Sequence, residues 1–264
     1  MFPKTYLFVP GNCPERFDKA CAAGADAVIL DLEDAVAPAA KSQARDAVAS
    51  WLKKGGHAYV RVNAADTPWY QEDAAALRGM LNLRGIVVPK AERAAALSEL
   101  SKEVDDNIAL LPLIETAAAF ADLVTLARTP KVERLMFGTI DFQVDTGIQG
   151  DGDELVYFRS QLTLASRIAG IAPPVDGVTA VIDDPELLRL DTIRARNLGF
   201  RGKLCIHPKQ LEHVYAAFRP APEEVEWAQR VMSAIKGSDG SAISVDGKMV
   251  DAPVIAKARD ILND

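Results

Sequence analysis

The 264-residue chain has few cysteines, no excess of basic residues and no long apolar run. Its three cysteines, Cys13, Cys21 and Cys205, show neither CxxC spacing nor an even count, so the sequence predicts no zinc site and no disulfide framework, which fits a reducing cytoplasm. The formal net charge of -7 argues against a nucleic-acid partner, because proteins that neutralise phosphates normally present a basic face. The early apolar run in MFPKTYLFVPGN is broken by Pro10 and Gly11 and is too short for a signal or membrane-spanning segment. We therefore expect a cytoplasmic protein that acts on small molecules and has no membrane partner.

Two nucleotide-binding signatures are also missing. No GxxxxGK[ST] phosphate loop appears, and no GxGxxG follows the first predicted strand. The stretch LFVPGNCPERF has one glycine where phosphate-binding loops usually have several, although Arg16, shortly after Gly11, is placed to meet a phosphate of a larger substrate. These absences disfavour a P-loop enzyme and a dinucleotide-binding fold.

The sequence does contain a regular alternation of apolar, β-branched runs with alanine-rich helical stretches. The runs are TYLFVP, ADAVILDLED, HAYVRVN, GIVVPK, IALLPLIE, RLMFGTID, PPVDGV and GKLCIHP. Because most are continuously apolar, we expect strands buried on both faces, as in a parallel sheet covered by helices. About eight such runs match the α/β class and the TIM (β/α)8 barrel, which we assign to residues 1–220. An open doubly wound sheet is the alternative.

Residues 221–264 form a predicted extension beyond the barrel. A helix in APEEVEWAQRVMSAIKG is followed by AISV and KMV around an Asp-Gly pair, which is typical of a β-hairpin turn. A last helix follows, with Pro253 in its first turn. We expect this hairpin-helix extension to pack on a neighbouring subunit.

Polar residues stand where the predicted strands end, at the rim where barrel enzymes form active sites. They are Gly11, Glu33, Asp34, Arg61, Lys90, Glu115, Asp141, Asp176 and His207. Each one alone has a simpler explanation as a helix cap, a loop acid or a surface ion pair, but their joint placement predicts a site. Asp31 lies in the same acidic stretch, VILDLEDAV. We expect it to face the barrel wall or a helix cap and assign it no chemistry, because alternate residues of a strand point opposite ways.

Glu115 in LPLIET and Asp141 in FGTIDF come from adjacent predicted strands and offer hard oxygen ligands to one ion. With few histidines and no paired thiols, this pattern indicates Mg²⁺, with Mn²⁺ as an alternative. Two carboxylates leave positions open for water or substrate oxygens, so the ion would act as a Lewis acid. Arg61 in VRVN offers a planar fork suited to a substrate carboxylate or a developing enolate.

Lys90 and His207 carry weaker signals. A Schiff-base role for Lys90 is known chemistry for a barrel aldolase, but a metal site makes it unnecessary, so we interpret Lys90 as a polar residue lining the site. His207 in IHPKQ is interpreted as structural or as supporting the site, with a catalytic role as the alternative. Gly11, Arg16 and Lys90 are expected to contact the substrate.

Together these motifs resemble the citrate lyase β-subunit-like proteins of the HpcH/HpaI aldolase and citrate lyase group. The resemblance covers nearly the whole chain and is carried by LFVPGN with Arg16, AVILDLEDAV, YVRVN, VVPKAE, LPLIET, FGTIDFQVDTG, CIHPKQL and DGKMVDAP. It implies a magnesium-dependent barrel in which Glu115 and Asp141 bind the metal. It also implies that Arg61, with Glu115, contacts the substrate oxyacid.

The resemblance further implies cleavage or formation of a carbon–carbon bond between an acyl thioester and a 2-oxo acid, with coenzyme A as the usual carrier. Asp34 stands where HpaI-type pyruvate aldolases place a histidine base, which favours thioester lyase chemistry. Glu33 and Asp34 are expected beside the metal, as acceptors for its waters or as proton-transfer groups. Asp251 in KMVDAP is implied to reach a neighbouring subunit's site as an acid or base, in a homo-oligomer that is a trimer or a pair of trimers. Asp34, Arg61 and Asp251 are thus the expected catalytic residues.

The leading hypothesis is a magnesium-dependent lyase acting on a malyl-CoA or citramalyl-CoA type of thioester. One alternative is the β subunit of citrate lyase, which uses an acyl-carrier-protein thioester inside a complex. The other is a barrel that binds coenzyme A or a keto acid without turnover.

Overall fold

The computed structural model describes residues 2–236 and 243–263. The chain divides into two units, Met1–Tyr215 and Ala216–Asp264. The boundary expected from the sequence, between residues 220 and 221, lies a few residues further along the chain. Within the described ranges, no helix combines the length and apolar character needed to span a membrane.

Seven parallel strands form one sheet in the first unit. They are β1 (Thr5–Pro10), β2 (Ala27–Asp31), β3 (Ala58–Arg61), β4 (Leu83–Val88), β5 (Ala109–Ile114), β6 (Met136–Phe137) and β7 (Lys203–Cys205). Their order across the sheet is β6-β5-β4-β3-β2-β1-β7, so strands β1 to β6 follow chain order and β7 pairs with β1. This is the order of strands in a barrel.

Two residues, Val175 and Asp176, connect the edge strands β6 and β7. Val175 forms a parallel bridge to Met136, and Asp176 forms one to Lys203. The predicted eighth strand, PPVDGV, is therefore a two-residue link, and the two prolines that precede it have no N–H to donate to a ladder. The predicted α/β barrel class is confirmed, with this shortened eighth strand.

Helices follow most strands of the first unit. They are α1 (Phe17–Ala22), α2 (Lys41–Lys53), α3 (Tyr70–Leu77), α4 (Ala94–Glu103), α5 (Ala117–Ala121), α6 (Leu123–Ala127), α7 (Thr139–Thr146), α8 (Val156–Ala169), α9 (Pro185–Asn197) and α10 (Lys209–Phe218). Three 3-10 turns accompany them, Pro14–Arg16, Pro38–Ala40 and Asp153–Leu155. The single helix expected in TAAAFADLVTLART is two short ones, α5 and α6, which meet at Asp122.

The barrel interior follows the two-residue period of the strands. Its buried apolar cluster is Tyr6, Ala27, Ile29, Tyr59, Val87, Leu111, Leu113, Met136, Val175 and Leu204. Two residues beyond Ile29, Tyr59 and Leu113 stand Asp31, Arg61 and Glu115. Because successive side chains alternate between faces, the apolar interior leads directly into charged residues at the carboxyl ends of the strands.

Within its described residues, the second unit contains the end of α10, two further helices and a hairpin. Its elements are α11 (Pro222–Lys236), β8 (Ile243–Val245), β9 (Lys248–Val250) and α12 (Ala252–Asn263). Asp246 and Gly247 both have positive φ, as a two-residue hairpin turn of the primed type requires. Ala242, which the sequence assigned to the first hairpin strand, lies outside the described residues. Packing of this unit on a neighbouring subunit stays a prediction.

Asp176 was expected at the rim of the site, and this expectation is wrong. Its carboxylate is 1% exposed, 2.8 Å from Arg159 Nε and 3.3 Å from Lys203 Nζ. Burial opposes its ionisation, but Lys203 and Arg159 outweigh that effect and lower the pKa of Asp176. Asp176 is thus one of the two residues that link β6 to β7, and its carboxylate belongs to a buried ion cluster.

We expect Asp176→Asn to lower the free energy of unfolding by about 3 kcal/mol at neutral pH, because it leaves two buried cations without their shared anion. The lowered pKa means that the stabilisation is present above the unfolded value of about 3.9 and is lost as the pH falls, so the wild type and variant should converge in acid. Urea unfolding at several pH values measures this. Asp183→Asn, which removes an exposed ion pair with Lys209, is the control and should have little effect. Equal stability of Asp176→Asn and wild type at neutral pH would contradict the assignment.

Candidate active site

A cavity of about 470 Å³ lies at the carboxyl ends of the strands. Its polar lining consists of Asp31, Asp34, Arg61, Glu115, Thr139 and Asp141. Its apolar lining includes Phe8, Leu113, Phe137, Ile140, Val178, Leu204 and Ile206. The structure therefore brings four of the predicted site residues, from four segments of the chain, to one cavity. They are Asp34, Arg61, Glu115 and Asp141.

Arg61 is held by a two-point ion pair with Asp31. Arg61 Nε donates to Asp31 Oδ1 at 2.7 Å, and Arg61 Nη2 donates to Asp31 Oδ2 at 2.6 Å. The Phe8 ring centroid lies 4.8 Å from the guanidinium carbon, within the range of a cation–π contact. Burial acts to lower the pKa of Arg61, but Asp31 and the neighbouring acids outweigh it and raise that pKa, so the guanidinium stays charged.

Two further carboxylates face the other edge of the guanidinium. Glu33 Oε2 lies 2.9 Å from Arg61 Nη1, and Asp34 Oδ2 lies 3.3 Å from the same nitrogen. The Glu33 side chain is buried, whereas that of Asp34 is 63% exposed. Burial, reinforced by the charges of Asp34 and Asp31 and opposed by Arg61, raises the pKa of Glu33 to about 7. Glu33 can therefore hold or release a proton near neutral pH.

Glu115 occupies the position just beyond β5, in a tightly built pocket. Its Oε1 accepts a hydrogen bond from the backbone N–H of Lys90 at 2.7 Å. Lys90 adopts a φ of 45°, in the left-handed region that non-glycine residues rarely enter. A Cβ on Gly138 would lie 2.5 Å from Glu115 Oε2, so only glycine leaves room for this carboxylate. The strained backbone at Lys90 and the missing side chain at Gly138 thus make room for the Glu115 carboxylate.

The second oxygen of Glu115 has no hydrogen-bond partner among the described residues. Burial, together with the charge of Glu33, raises the pKa of Glu115 to about 8. A buried, unpartnered carboxylate oxygen is costly unless a proton or a cation compensates it. This oxygen therefore fits a cation ligand, and Glu115 lines the cavity.

Asp141 lies in the first turn of α7, not at a strand end as the sequence suggested. The helix is fixed by Phe142, whose ring packs against Phe137 and Phe158 at centroid distances of 5.5 and 4.6 Å. Burial and the nearby Asp34 raise the pKa of Asp141.

Within the described ranges, no group of three or more His, Cys, Asp or Glu side chains could hold a metal ion. Glu115 and Asp141 thus offer two hard oxygen donors, a set that suits a small divalent cation whose other ligands are water or substrate.

Gly11 and Arg16 do not line this cavity. The Gly11 backbone N–H donates to Asp31 O at 2.7 Å, and a Cβ at this position would lie 2.7 Å from the same oxygen. Gly11 therefore packs against the backbone at the end of β2 and hydrogen-bonds to it. The Arg16 side chain is 63% exposed, with Glu15 3.6 Å away. Substrate contacts by these two residues stay predictions.

Lys90 and His207 are not among the residues that line the 470 Å³ cavity. The Lys90 side chain borders a smaller cavity of about 190 Å³ together with Asp66, Glu92 and Arg93. His207 is half-buried, and its Nδ1 accepts from the backbone N–H of Lys209 at 3.1 Å. The positive charge of Lys90 opposes, without cancelling, the rise in the pKa values of Glu33 and Asp141.

Asp251 belongs to the second unit, where it caps a helix. Its Oδ1 accepts the backbone N–H of Val254 at 3.1 Å, at the start of α12. Such N-caps typically contribute about 1 kcal/mol to stability. A role as acid or base for a neighbouring subunit stays a prediction.

Sequence reasoning missed Asp31 and Gly138 as parts of the site. A signal for Asp31 existed, since it stands two residues after the core residue Ile29 and therefore shares its face. No sequence pattern indicated the roles of Gly138 and of the Lys90 backbone, because both depend on contacts with Glu115, which lies in another segment of the chain.

Comparison with known proteins identifies the family. The family model described as HpcH/HpaI aldolase/citrate lyase matches residues 4–208. The chain belongs to this family. The predicted membership in the HpcH/HpaI family is thereby confirmed.

Members of the HpcH/HpaI family match along nearly their whole length. A citrate lyase subunit beta-like protein from Deinococcus radiodurans is 34% identical over 276 residues, covering 98% of this chain and 96% of the relative. A (3S)-malyl-CoA thioesterase from Cereibacter sphaeroides is 35% identical over 268 residues, covering 98% and 93%. The crystal structure of CitE from Mycobacterium tuberculosis in complex with magnesium, acetoacetate and coenzyme A has a TM-score of 0.87 and 34% identity, covering 98% of this chain and 97% of that one.

The raised pKa of Glu115 predicts a pH-dependent stability in the presence of a chelator. Between the unfolded value of about 4.3 and the folded value of about 8, the folded state keeps a proton that the unfolded state has lost, so the free energy of unfolding should fall as the pH rises. Glu115→Gln removes this titration and should flatten the slope. Urea unfolding from about pH 5 to pH 8 measures it, with the exposed Glu212→Gln as control. Parallel profiles for wild type and Glu115→Gln would contradict the prediction.

Proposed function

We propose that this protein is a magnesium-dependent carbon–carbon lyase. It would split a 3-hydroxyacyl-CoA thioester, such as malyl-CoA or citramalyl-CoA, into a 2-oxo acid and an acyl-CoA, or join them in reverse. The observation that carries the proposal is the buried, unpartnered oxygen of Glu115, a residue that lines the same cavity as Asp141 and Arg61. The magnesium, acetoacetate and coenzyme A in the similar CitE structure support these ligand classes.

Glu115 and Asp141 would hold the Mg²⁺, with Mn²⁺ as a substitute, and their carboxylate oxygens are the donors that such ions prefer. When bound there, the ion would supply Lewis acidity toward substrate oxygens. The relatives that match along most of their length include a citrate lyase subunit beta and a (3S)-malyl-CoA thioesterase, so the family supports an enzyme without deciding between these reactions.

Arg61 would bind the oxyacid part of the substrate through Nη1, which Asp31 does not bind. Glu33 and Asp34 pair with this nitrogen at 2.9 and 3.3 Å, so the oxyacid would share Nη1 with them or replace them there. Fixed positive charge at this point stabilises negative charge that develops on the substrate oxygens during bond cleavage. The apolar side chains on the remaining walls exclude water, which strengthens these interactions.

A carboxylate base would take the proton of the 3-hydroxyl group. The electron pair of the bond between C2 and C3 would then pass to the thioester as an enolate, leaving the 2-oxo acid. Protonation of the enolate at C2 gives the acyl-CoA. Asp34 is the candidate base within the chain, because it lines the cavity and its side chain is largely exposed.

The direct test incubates the protein with Mg²⁺ and malyl-CoA, citramalyl-CoA or citryl-CoA, and follows the 2-oxo acid. Glu115→Gln and Asp141→Asn should each lower kcat/KM at least about 10²-fold, as should a chelator, because each removes charge stabilisation of the transition state. Asp46→Asn, an exposed acid on α2, is the matched control and should retain activity. Unchanged turnover in both site variants would contradict the proposal.

Thioester hydrolysis is the second candidate, favoured by the similarity to a (3S)-malyl-CoA thioesterase. The same reactions distinguish it, because hydrolysis releases free coenzyme A thiol and malate with no 2-oxo acid. A carrier-protein thioester used in a citrate lyase complex would give turnover only with that thioester. Binding of coenzyme A or pyruvate without any turnover would indicate the non-catalytic alternative.

Asp251 is proposed as an acid or base that acts in the site of a neighbouring subunit, in a homotrimer or a pair of trimers. Asp251→Asn removes the carboxylate but preserves the helix cap, since asparagine caps as well as aspartate. It should therefore lower kcat about 10²-fold without lowering the melting temperature.

Mixing inactive subunits tests the action between subunits. When Asp251→Asn and Glu115→Gln chains are unfolded and refolded together, some sites would combine an intact Glu115 with an intact Asp251, so activity should reappear. Full activity of Asp251→Asn, or a monomer in sedimentation, would contradict the proposal.

A further inference from the structure

We infer that Asp31 is a positioning residue for the reaction, which sets the orientation of the Arg61 guanidinium toward the substrate. The inference rests on the proposed function in one respect, the contact of Arg61 with the substrate. It extends that function, because the residue patterns alone assigned Asp31 no chemistry.

The strand register places the two side chains together. Asp31 is the last residue of β2 and Arg61 the last residue of β3, and they are direct partners in the parallel ladder. Partners in register point to the same face of a sheet, which here is the barrel interior. Behind them, Leu32 N donates to Arg61 O at 2.9 Å, so the two strand ends are also fixed through their backbones.

The hydrogen bonds of Asp31 leave it little capacity for a substrate. Besides the two bonds from Arg61, its Oδ1 accepts from the backbone N–H of Glu33 at 2.9 Å and its Oδ2 from that of Ala35 at 3.1 Å. Its side chain is 1% exposed. Each carboxylate oxygen thus accepts two hydrogen bonds, and Asp31 acts through Arg61 and through the turn that carries Glu33 and Asp34.

The ion pair decides which edge of the guanidinium remains for a ligand. Nε and Nη2 are bound by Asp31, and the Phe8 ring lies against the plane of the group. Nη1 is left facing Glu33 and Asp34 at the cavity wall. Without Asp31, the guanidinium would be free to turn its paired edge toward Glu33 and Asp34, since both are anionic acceptors within reach.

A double-mutant cycle measures this dependence. Asp31→Asn keeps the shape of the side chain but can no longer accept both donors of Arg61, and we expect kcat to fall about 10²-fold with a smaller change in KM, because a misplaced group is felt most in the transition state. In an Arg61→Met background the same substitution should cost less than about threefold, since the guanidinium is absent and only the turn that carries Glu33 and Asp34 still depends on Asp31. Asp31→Glu, which keeps the charge, should recover part of the lost activity.

The controls separate positioning from stability. Asp73 and Arg45 form a second ion pair with the same side-chain exposures, 1% and 10%, and lie outside the cavity. Asp73→Asn should lower the melting temperature as much as Asp31→Asn does, while kcat stays near the wild-type value. Equal losses of kcat from Asp31→Asn in the wild-type and Arg61→Met backgrounds, or an unchanged kcat in the single variant, would overturn the inference.

A binding measurement keeps the inference testable if the proposed reaction is wrong. Calorimetry of pyruvate with Mg²⁺ needs no turnover, and Asp31→Asn should weaken pyruvate about tenfold in the wild-type background but not in Arg61→Met. If no thioester is cleaved but this cycle holds, the proposed function fails and the positioning role stands. Additive effects on binding, or no pyruvate binding by the wild type, would overturn the positioning role.

Discussion

Asp31 and Arg61 end neighbouring strands in register, and their two short hydrogen bonds join the apolar barrel to its charged rim. The same carboxylate accepts the backbone N–H groups of Glu33 and Ala35, so it shapes the acidic turn as well as orienting the guanidinium. A bidentate pair of this kind is strong and directional, and its burial makes either partner costly to lose alone. The positions of Glu33 and Asp34 relative to the cavity depend on it.

The side chains around the cavity carry an excess of negative charge. Five carboxylates lie close together there, those of Asp31, Glu33, Asp34, Glu115 and Asp141. Among the described residues, Arg61 is the cationic side chain that lines the cavity. Burial and mutual repulsion raise the pKa values of Glu33, Glu115 and Asp141. A divalent cation between Glu115 and Asp141 would relieve this repulsion, which explains why a fold would accept a strained Lys90 and an obligatory Gly138 to keep Glu115 buried.

Local patterns predicted those parts of the molecule that local rules determine. Apolar runs located the strands, and the strand ends located Arg61 and Glu115. The runs could not show that PPVDGV contributes only a two-residue link, because proline content changes hydrogen bonding without changing apolarity. Nor could they show that Asp141 lies in the first turn of a helix or that Asp176 pairs with Arg159 and Lys203, since both depend on packing between different segments of the chain. The alternation of side chains along β2 could have placed Asp31 on the same face as Ile29, but only the register with β3 shows that this face also carries Arg61.

We propose that one cavity holds a divalent cation between Glu115 and Asp141 and an oxyacid against Arg61. Crystals grown with Mn²⁺ and pyruvate, measured at an X-ray energy where manganese scatters anomalously, would locate both ligands. We expect one strong anomalous peak bounded by the Glu115 and Asp141 carboxylates, with pyruvate beside the Nη1 edge of Arg61. A peak at another place, or a cavity without metal at saturating Mn²⁺, would contradict it.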